Sequence, residues 1–156
     1  MKKQSQSFIL VVILLVINCA SGMAQIEGKW KCNIEKSKGA LYETDAFKKI
    51  KEEAKTDSSA IFALSMMEGV FEAFVGVVLE YKKGGEYIET TITNNEYVKN
   101  KVKIKKGKWY FDQKKKILRT VLENGREEET TVKSYSKEEL VLELRDNLFL
   151  YLLLVE

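Results

Sequence analysis

Histidine and proline are both absent from this 156-residue chain, and cysteine occurs only twice. Without histidine the chain lacks the commonest general base and the commonest metal ligand, and Ser-His and Cys-His nucleophile pairs are excluded. Cys19 and Cys32 are too few for a disulfide framework. No glycine-rich phosphate loop, nucleophile elbow, metal-ligand spacing or dinucleotide fingerprint occurs. Carboxylates are plentiful, but Glu127, Glu128 and Glu129 are consecutive, so on a strand they alternate between faces instead of pairing as acid and base. The expectation is a protein that is not an enzyme and that carries no metal and no cofactor.

Phe8 to Ile17 ("FILVVILLVI") is an unbroken ten-residue apolar run, preceded by Lys2 and Lys3. It is shorter than the roughly 20 residues that span a bilayer and fits the apolar region of a signal peptide. Two processing sites compete. Small residues in Gly22-Met23-Ala24 predict cleavage before Gln25, leaving a signal peptide at 1–24 and a domain at 25–156. "VINCAS" reads instead as a lipobox, with a signal at 1–18 and Cys19 as the lipidated N-terminus. Both predict an exported protein, placed in the periplasm, outside the cell or on the outer membrane. Residues 1–24 hold Lys2, Lys3 and no acid, so their removal lowers the net charge from +3 to +1. A near-neutral domain gives no case for nucleic acid. Its length suits one domain with a core large enough to stand without disulfides.

"IEGKWKCNI" (26–34) alternates with period two: Ile26, Gly28, Trp30, Cys32 and Ile34 share a face. That predicts a half-buried strand with Cys32 pointing inward as a structural thiol. After a polar link the period changes. "TDAFKKIKEEAK" (44–55) has a Thr44 or Asp45 cap, apolar Phe47, Ile50 and Ala54, and Lys48–Glu52 and Lys49–Glu53 pairs four residues apart. A second helix is expected after Asp57, apolar nearly all round and so expected to bury most of its circumference, with Met66 and Met67 as packing residues.

From Val77 onward the chain alternates as strands punctuated by Gly84-Gly85, Asn94-Asn95, a lysine-rich turn, Asn124-Gly125 and Asp146-Asn147. With the first strand this predicts about eight strands: a mainly β, eight-stranded antiparallel up-and-down barrel with a two-helix insertion at about 44–74, between the first and second strands. A two-residue turn at Asp146-Asn147 sets Leu140, Leu142 and Leu144 opposite Leu153, Tyr151 and Phe149. It leaves Leu148, Leu150, Leu152 and Leu154 on the other face. Those outer leucines need a cover, for which the helix at 58–74 is the candidate and a homodimer or membrane contact the alternative. Nine lysines lie between 99 and 116 (Lys99, Lys101, Lys103, Lys105, Lys106, Lys108, Lys114, Lys115 and Lys116). They suit either an anionic partner or a solvated strand face, with Val102 and Ile104 pointing inward.

Several segments resemble a lipocalin-like domain of the small kind found in exported envelope proteins and lipoproteins. Gly28-Lys29-Trp30, opening the first strand, is similar to the Gly-x-Trp motif of that family. "VLEYKKGGEYIET" (78–90) resembles its glycine-turn hairpin, and "GKWYFDQKKKIL" (107–118), opening with Gly107, resembles its second Gly-x-Trp strand. "VKSYSKEELVLEL" (132–144) is similar to its late turn and strand. The resemblance implies a barrel over 26–34 and 77–155 and, for Arg145, the arginine that stacks on the first-strand tryptophan. It also implies a small hydrophobic or amphipathic ligand in the barrel, with Leu79, Tyr81, Trp109, Phe111, Leu142 and Tyr151 as expected lining. A non-catalytic envelope module with a packed barrel is the alternative. It would meet its partner through the lysine face at 99–116 or the outer leucine strip.

Overall fold

The computed structural model describes residues 26–93, 101–145 and 148–155, with nothing described of the Arg145 side chain. Residues 1–25, and with them Cys19 and both processing sites, lie outside the described residues, as does Lys99. Eight antiparallel strands close into a barrel in chain order: β1 Gly28–Cys32, β2 Val77–Tyr81, β3 Glu86–Thr93, β4 Lys101–Asp112, β5 Ile117–Leu122, β6 Glu127–Tyr135, β7 Glu139–Arg145 and β8 Leu148–Val155. The ring closes where Trp30 pairs with Leu154 on β8 and with Leu79 on β2. Closure leaves the β1 and β8 ladders no open edge, as the alternating pattern predicts. The up-and-down order gives the barrel two unlike ends. Ile26 and the β2–β3, β4–β5 and β6–β7 turns form one, the floor. The segment between β1 and β2 and the other connections form the second, the mouth.

Three α-helices and a 3-10 helix cross the mouth, where two helices were expected: α1 Ile34–Tyr42, α2 Asp45–Glu53, α3 Ser58–Gly69 and the 3-10 turn Val70–Phe74. α1 occupies the stretch taken as a polar link. Its Asn33 cap accepts from the Lys36 N–H at 3.1 Å, and Ile34, Ser37 and Leu41 form its inner stripe. Gly39, exposed and costly in a helix, and a run of charged residues hide that stripe from a periodicity reading. α2 and α3 start where expected, with Thr44 accepting from the Phe47 N–H at 3.2 Å and Asp57 from the Ser59 N–H at 2.8 Å. Of the two i,i+4 pairs, Lys49–Glu53 forms at 3.9 Å, whereas Lys48 pairs with Glu43.

Two expectations about packing are corrected. α3 buries only Ala60, with Leu64 and Met67 packed partly on the core, while Ile61, Phe62 and Met66 stand exposed. A helix apolar all round has here found a partner for one stripe only. That helix does not cover β8: the outward Leu153 stays 41% exposed, and α1 instead takes the edge of β8. It takes over beside β8 where β1 stops: Asn33 N donates to the Tyr151 carbonyl at 2.8 Å, and Tyr151 N donates to Ser37 Oγ at 3.0 Å. The faces of β8 are also exchanged. The two-residue register holds at Arg145–Leu148, but it shifts between Glu143 and Arg145, so Leu142 pairs with Leu150 and Leu140 with Leu152. A one-residue slip moves every side chain to the other face. Leu148, Leu150 and Leu152 therefore face the core, and Tyr151 points outward with Lys36 Nζ 4.7 Å from its ring centre.

Candidate functional site

The two Gly-Lys-Trp stretches seal the floor in the same way. Trp30 and Trp109 are fully buried, and each indole N–H donates to a backbone carbonyl at that end, Trp30 to Ile26 at 2.8 Å and Trp109 to Lys82 at 3.0 Å. The glycines make room for this. A Cβ on Gly107 would sit 2.3 Å from the Val121 carbonyl oxygen and 2.9 Å from Leu122 Cα, so the neighbouring strand approaches as only glycine permits. Gly28, at φ +146°, lies against the Leu154 side chain, where a Cβ would meet Cδ1 at 2.5 Å. Tyr81 packs between Tyr87 and Trp109, with ring centroids 5.4 and 5.5 Å away. Phe111 meets the edge of Tyr135 at 5.7 Å on the same inner wall.

Of the residues expected to line a pocket, Tyr81, Trp109 and Leu79 come together at and just above the floor. Phe111 stands beside them, and Leu142 lies on the β7 wall between Val132 and Leu150. Tyr151 is not among them, because the bulge near Arg145 turns it outward. Arg145 ends β7, a strand removed from the Trp30 strand. Cys32 is a half-buried free thiol on the inner side, its Sγ 3.8 Å from Ser37 Oγ. Burial pushes its pKa up, partly offset by that hydrogen bond.

The lysine strand is turned over relative to expectation. β3 and β4 pair so that Tyr87 lies opposite Gly107, Glu89 opposite Lys105, Thr91 opposite Lys103 and Thr93 opposite Lys101. These residues share the side of Trp109, which is the inside, whereas Val102 and Ile104 point outward and are more than half exposed. The face follows from strand parity: Trp109 is locked inward by its own burial, and every second residue before it must follow.

This register assembles an inner-wall polar cluster that neither composition nor motif reveals. Lys105 Nζ lies 2.5 Å from Glu89 Oε1, with Glu89 the more buried partner, and the Tyr87 hydroxyl donates to Glu89 at 3.2 Å. Burial, first of all, drives the Tyr81 and Tyr87 phenols well above the ordinary tyrosine range, and the Glu89 and Glu128 carboxylates reinforce the shift. Both phenols are therefore neutral hydrogen-bond donors at physiological pH. Toward the mouth, Lys103 and Lys101 continue the row as exposed cations on a part of β4 that pairs with β3 but lies beyond the β5 ladder. The wall thus grades from aromatic floor, through a paired carboxylate and ammonium, to a cationic lip. Such a wall can hold a polar head and an apolar tail; among the described residues no group of three or more cysteine, aspartate or glutamate side chains comes together as a metal site would require. A separate 620 Å³ groove on the outer wall, lined by Tyr110, Ile117, Arg119, Val121 and Glu129 among others, is mixed in polarity and is spanned by the Arg119–Glu129 ion pair. No protein-family model, no curated protein and no solved structure matches the chain.

Proposed function

We propose that this is an exported, non-catalytic barrel that binds one small amphipathic ligand through its mouth. The observation that carries the reading is the Glu89–Lys105 pair with Tyr87 on the inner wall. Ion pairs drawn out of water contribute little net stability, so a packed core has no need of one there. A ligand head that exchanges hydrogen bonds with this cluster would give it a use, while the tail lies against Leu142 and Leu150 above the aromatic floor. An eight-stranded barrel has room for one small ligand at most. Export is supported by Lys2, Lys3 and the apolar run at 8–17.

A second reading, a solidly packed barrel acting as an envelope interaction module, is favoured by the complete burial of Trp30, Trp109, Leu140, Leu150 and Leu152. Native mass spectrometry of the protein as purified, followed by titration with bromododecanol and bromododecanoic acid, separates the two. Saturable quenching of tryptophan fluorescence that weakens at least about fivefold (about 1 kcal/mol) in Lys105→Met is expected of the binder. Absence of both a bound mass and saturable quenching would sink it in favour of the packed module.

A further inference from the structure

β4 outruns its neighbour β5 at the mouth. The ladder between them starts at Gly107, and among the described residues the bond from the Glu123 N–H to the Lys106 carbonyl, at 3.0 Å, is the last on that side. Residues 101–105 continue past it, paired with β3 alone. The direction of their backbone groups follows from bonds that do form. Trp109 N donates toward β3, to the Gly85 carbonyl at 2.8 Å, whereas the Lys106 carbonyl faces the β5 side. Successive residues of an antiparallel strand alternate between these two directions. Val102 and Ile104, of the same parity as Lys106, therefore hold their N–H and C=O groups out from the edge. β3 has no such opening as far as Ile92, whose N–H donates to the Gly76 carbonyl at 2.9 Å. Lys101, Val102, Lys103 and Ile104 are all exposed whichever face they take, so this stretch stands clear of its surroundings.

An open edge of this kind is a template for one more strand, and its two faces state what that strand must carry. On the inner side Lys101 and Lys103 stand opposite Thr93 and Thr91. Among the described residues neither has a carboxylate at ion-pair distance: Glu89 is held by Lys105, and Glu128 lies 3.0 Å from Arg126. On the outer side Val102 and Ile104 are 55% and 57% exposed, with Ile92 beside Val102. The next outward cation, Lys106, stands opposite Glu123, so the outer face offers apolar contact and the inner face offers charge. We infer that the free edge of β4 at 101–105 takes an extended acidic segment of another protein as an added strand. Its carboxylates would face Lys101 and Lys103, and its aliphatic side chains Val102 and Ile104. A second copy of the chain is the poorer occupant. Antiparallel pairing of β4 with itself in one continued sheet sets residues of equal parity opposite each other. Lysine would then meet lysine along the inner face, and like charges directly opposite are destabilising. The same lysines that repel a copy attract an acidic strand. The inference uses neither Lys105 nor the barrel interior and stands or falls separately from the ligand reading.

The test titrates the purified protein against fluorescein-labelled peptides of about nine residues that alternate glutamate and valine, with alternating lysine and valine as the control. The anisotropy of the acidic peptide is expected to saturate, with an affinity at least about tenfold above that of the basic one and falling with salt. Lys101→Glu with Lys103→Glu, both at exposed positions, should keep the parent melting temperature and reverse the preference. Ile104→Pro deletes an N–H that points away from β3, a position where a strand admits proline, and should cost at least about tenfold in binding. N-methylation of the peptide tests the same bonds with the protein unchanged. Methylating the valine amides should abolish binding if the added strand is antiparallel, and methylating the glutamate amides if it is parallel. Tolerance of both methylations, no saturable binding, or a preference that the double glutamate variant leaves unmoved would overturn the proposal. A parent that is dimeric by light scattering and monomeric as Ile104→Pro would assign the edge to a second copy instead.

Discussion

The floor and the mouth of this barrel are built by opposite means. At the floor, two tryptophans with satisfied indoles, two close-approach glycines and a Tyr81–Tyr87–Trp109 aromatic contact leave nothing exposed and nothing charged inside. At the mouth, the inner wall carries Glu89, Lys105, Thr91 and Lys103, while the helices that cross it commit Leu41, Phe47 and Phe71 to the core and leave Ile61, Phe62 and Met66 in water. One end is specified by packing, where volume and hydrogen bonds over-determine each side chain. The other is specified by backbone pairing, with side chains only loosely tied to the core. Stability is therefore expected to concentrate at the floor, and adaptability at the mouth.

The largest effect follows from deleting the floor. Trp109→Ala removes the biggest buried side chain of β4, opens a cavity beside Tyr81 and leaves the Lys82 carbonyl without its indole donor. A loss of about 3–5 kcal/mol in chemical denaturation is expected. A loss below about 1 kcal/mol would mean that the floor collapses freely, and the contrast between the two ends would fail.

An intermediate effect lies at the border between the ends and depends on pH. Tyr81 and Tyr87 have pKa values raised by burial first, and by the Glu89 and Glu128 carboxylates. The folded state therefore holds phenolic protons that the unfolded chain releases near the ordinary tyrosine pKa of about 10. Their stabilising contribution is complete below that pH and is lost as pH rises above it toward the raised folded values. Tyr87→Phe is expected to cost about 1 kcal/mol at neutral pH through the lost hydrogen bond to Glu89. It should also remove one tyrosine's share, up to about 1.4 kcal/mol per pH unit, from the alkaline decline. Denaturation of both proteins at about pH 8 and about pH 11 checks this, and parallel pH slopes would show that Tyr87 ionises normally.

How much was legible tracks the same division. The barrel, its strand order and the inward tryptophans could be read from period two and the turn residues, because each floor residue has a single apolar neighbourhood to enter. The helix at Ile34–Tyr42 was not legible, since its stability comes from Ser37 and Leu41 meeting β8 and the 3-10 turn, not from local amphipathicity. Val102 and Ile104 were assigned inward because they are the apolar members of a lysine-rich alternation. Parity counted back from Trp109 points the other way, and the rigid pleat wins over residue preference. The same count would have found Lys105, and the β3 register then brings Glu89 and Tyr87. Tyr151 was lost to a bulge near Arg145, a backbone irregularity that no residue type in "LELRDN" announces.

The smallest effect gives the sharpest test of the mouth. Phe62 is 68% exposed on the outer side of α3, where a large aromatic would ordinarily be counted as core. Phe62→Ser removes little buried area, so the expected change in stability is within about 0.5 kcal/mol. Leu64→Ala, two residues on and packed partly on the core cluster, should cost about 1–2 kcal/mol, below the range for a fully buried leucine. The pair measures whether α3 is held by one stripe only. If Phe62→Ser cost more than Leu64→Ala, the exposed face of α3 would be packed in solution, and the helix would belong to the tightly specified part of the molecule. If both were neutral, α3 would contribute nothing to the fold, and the core at the mouth would end at Leu41 and Phe71.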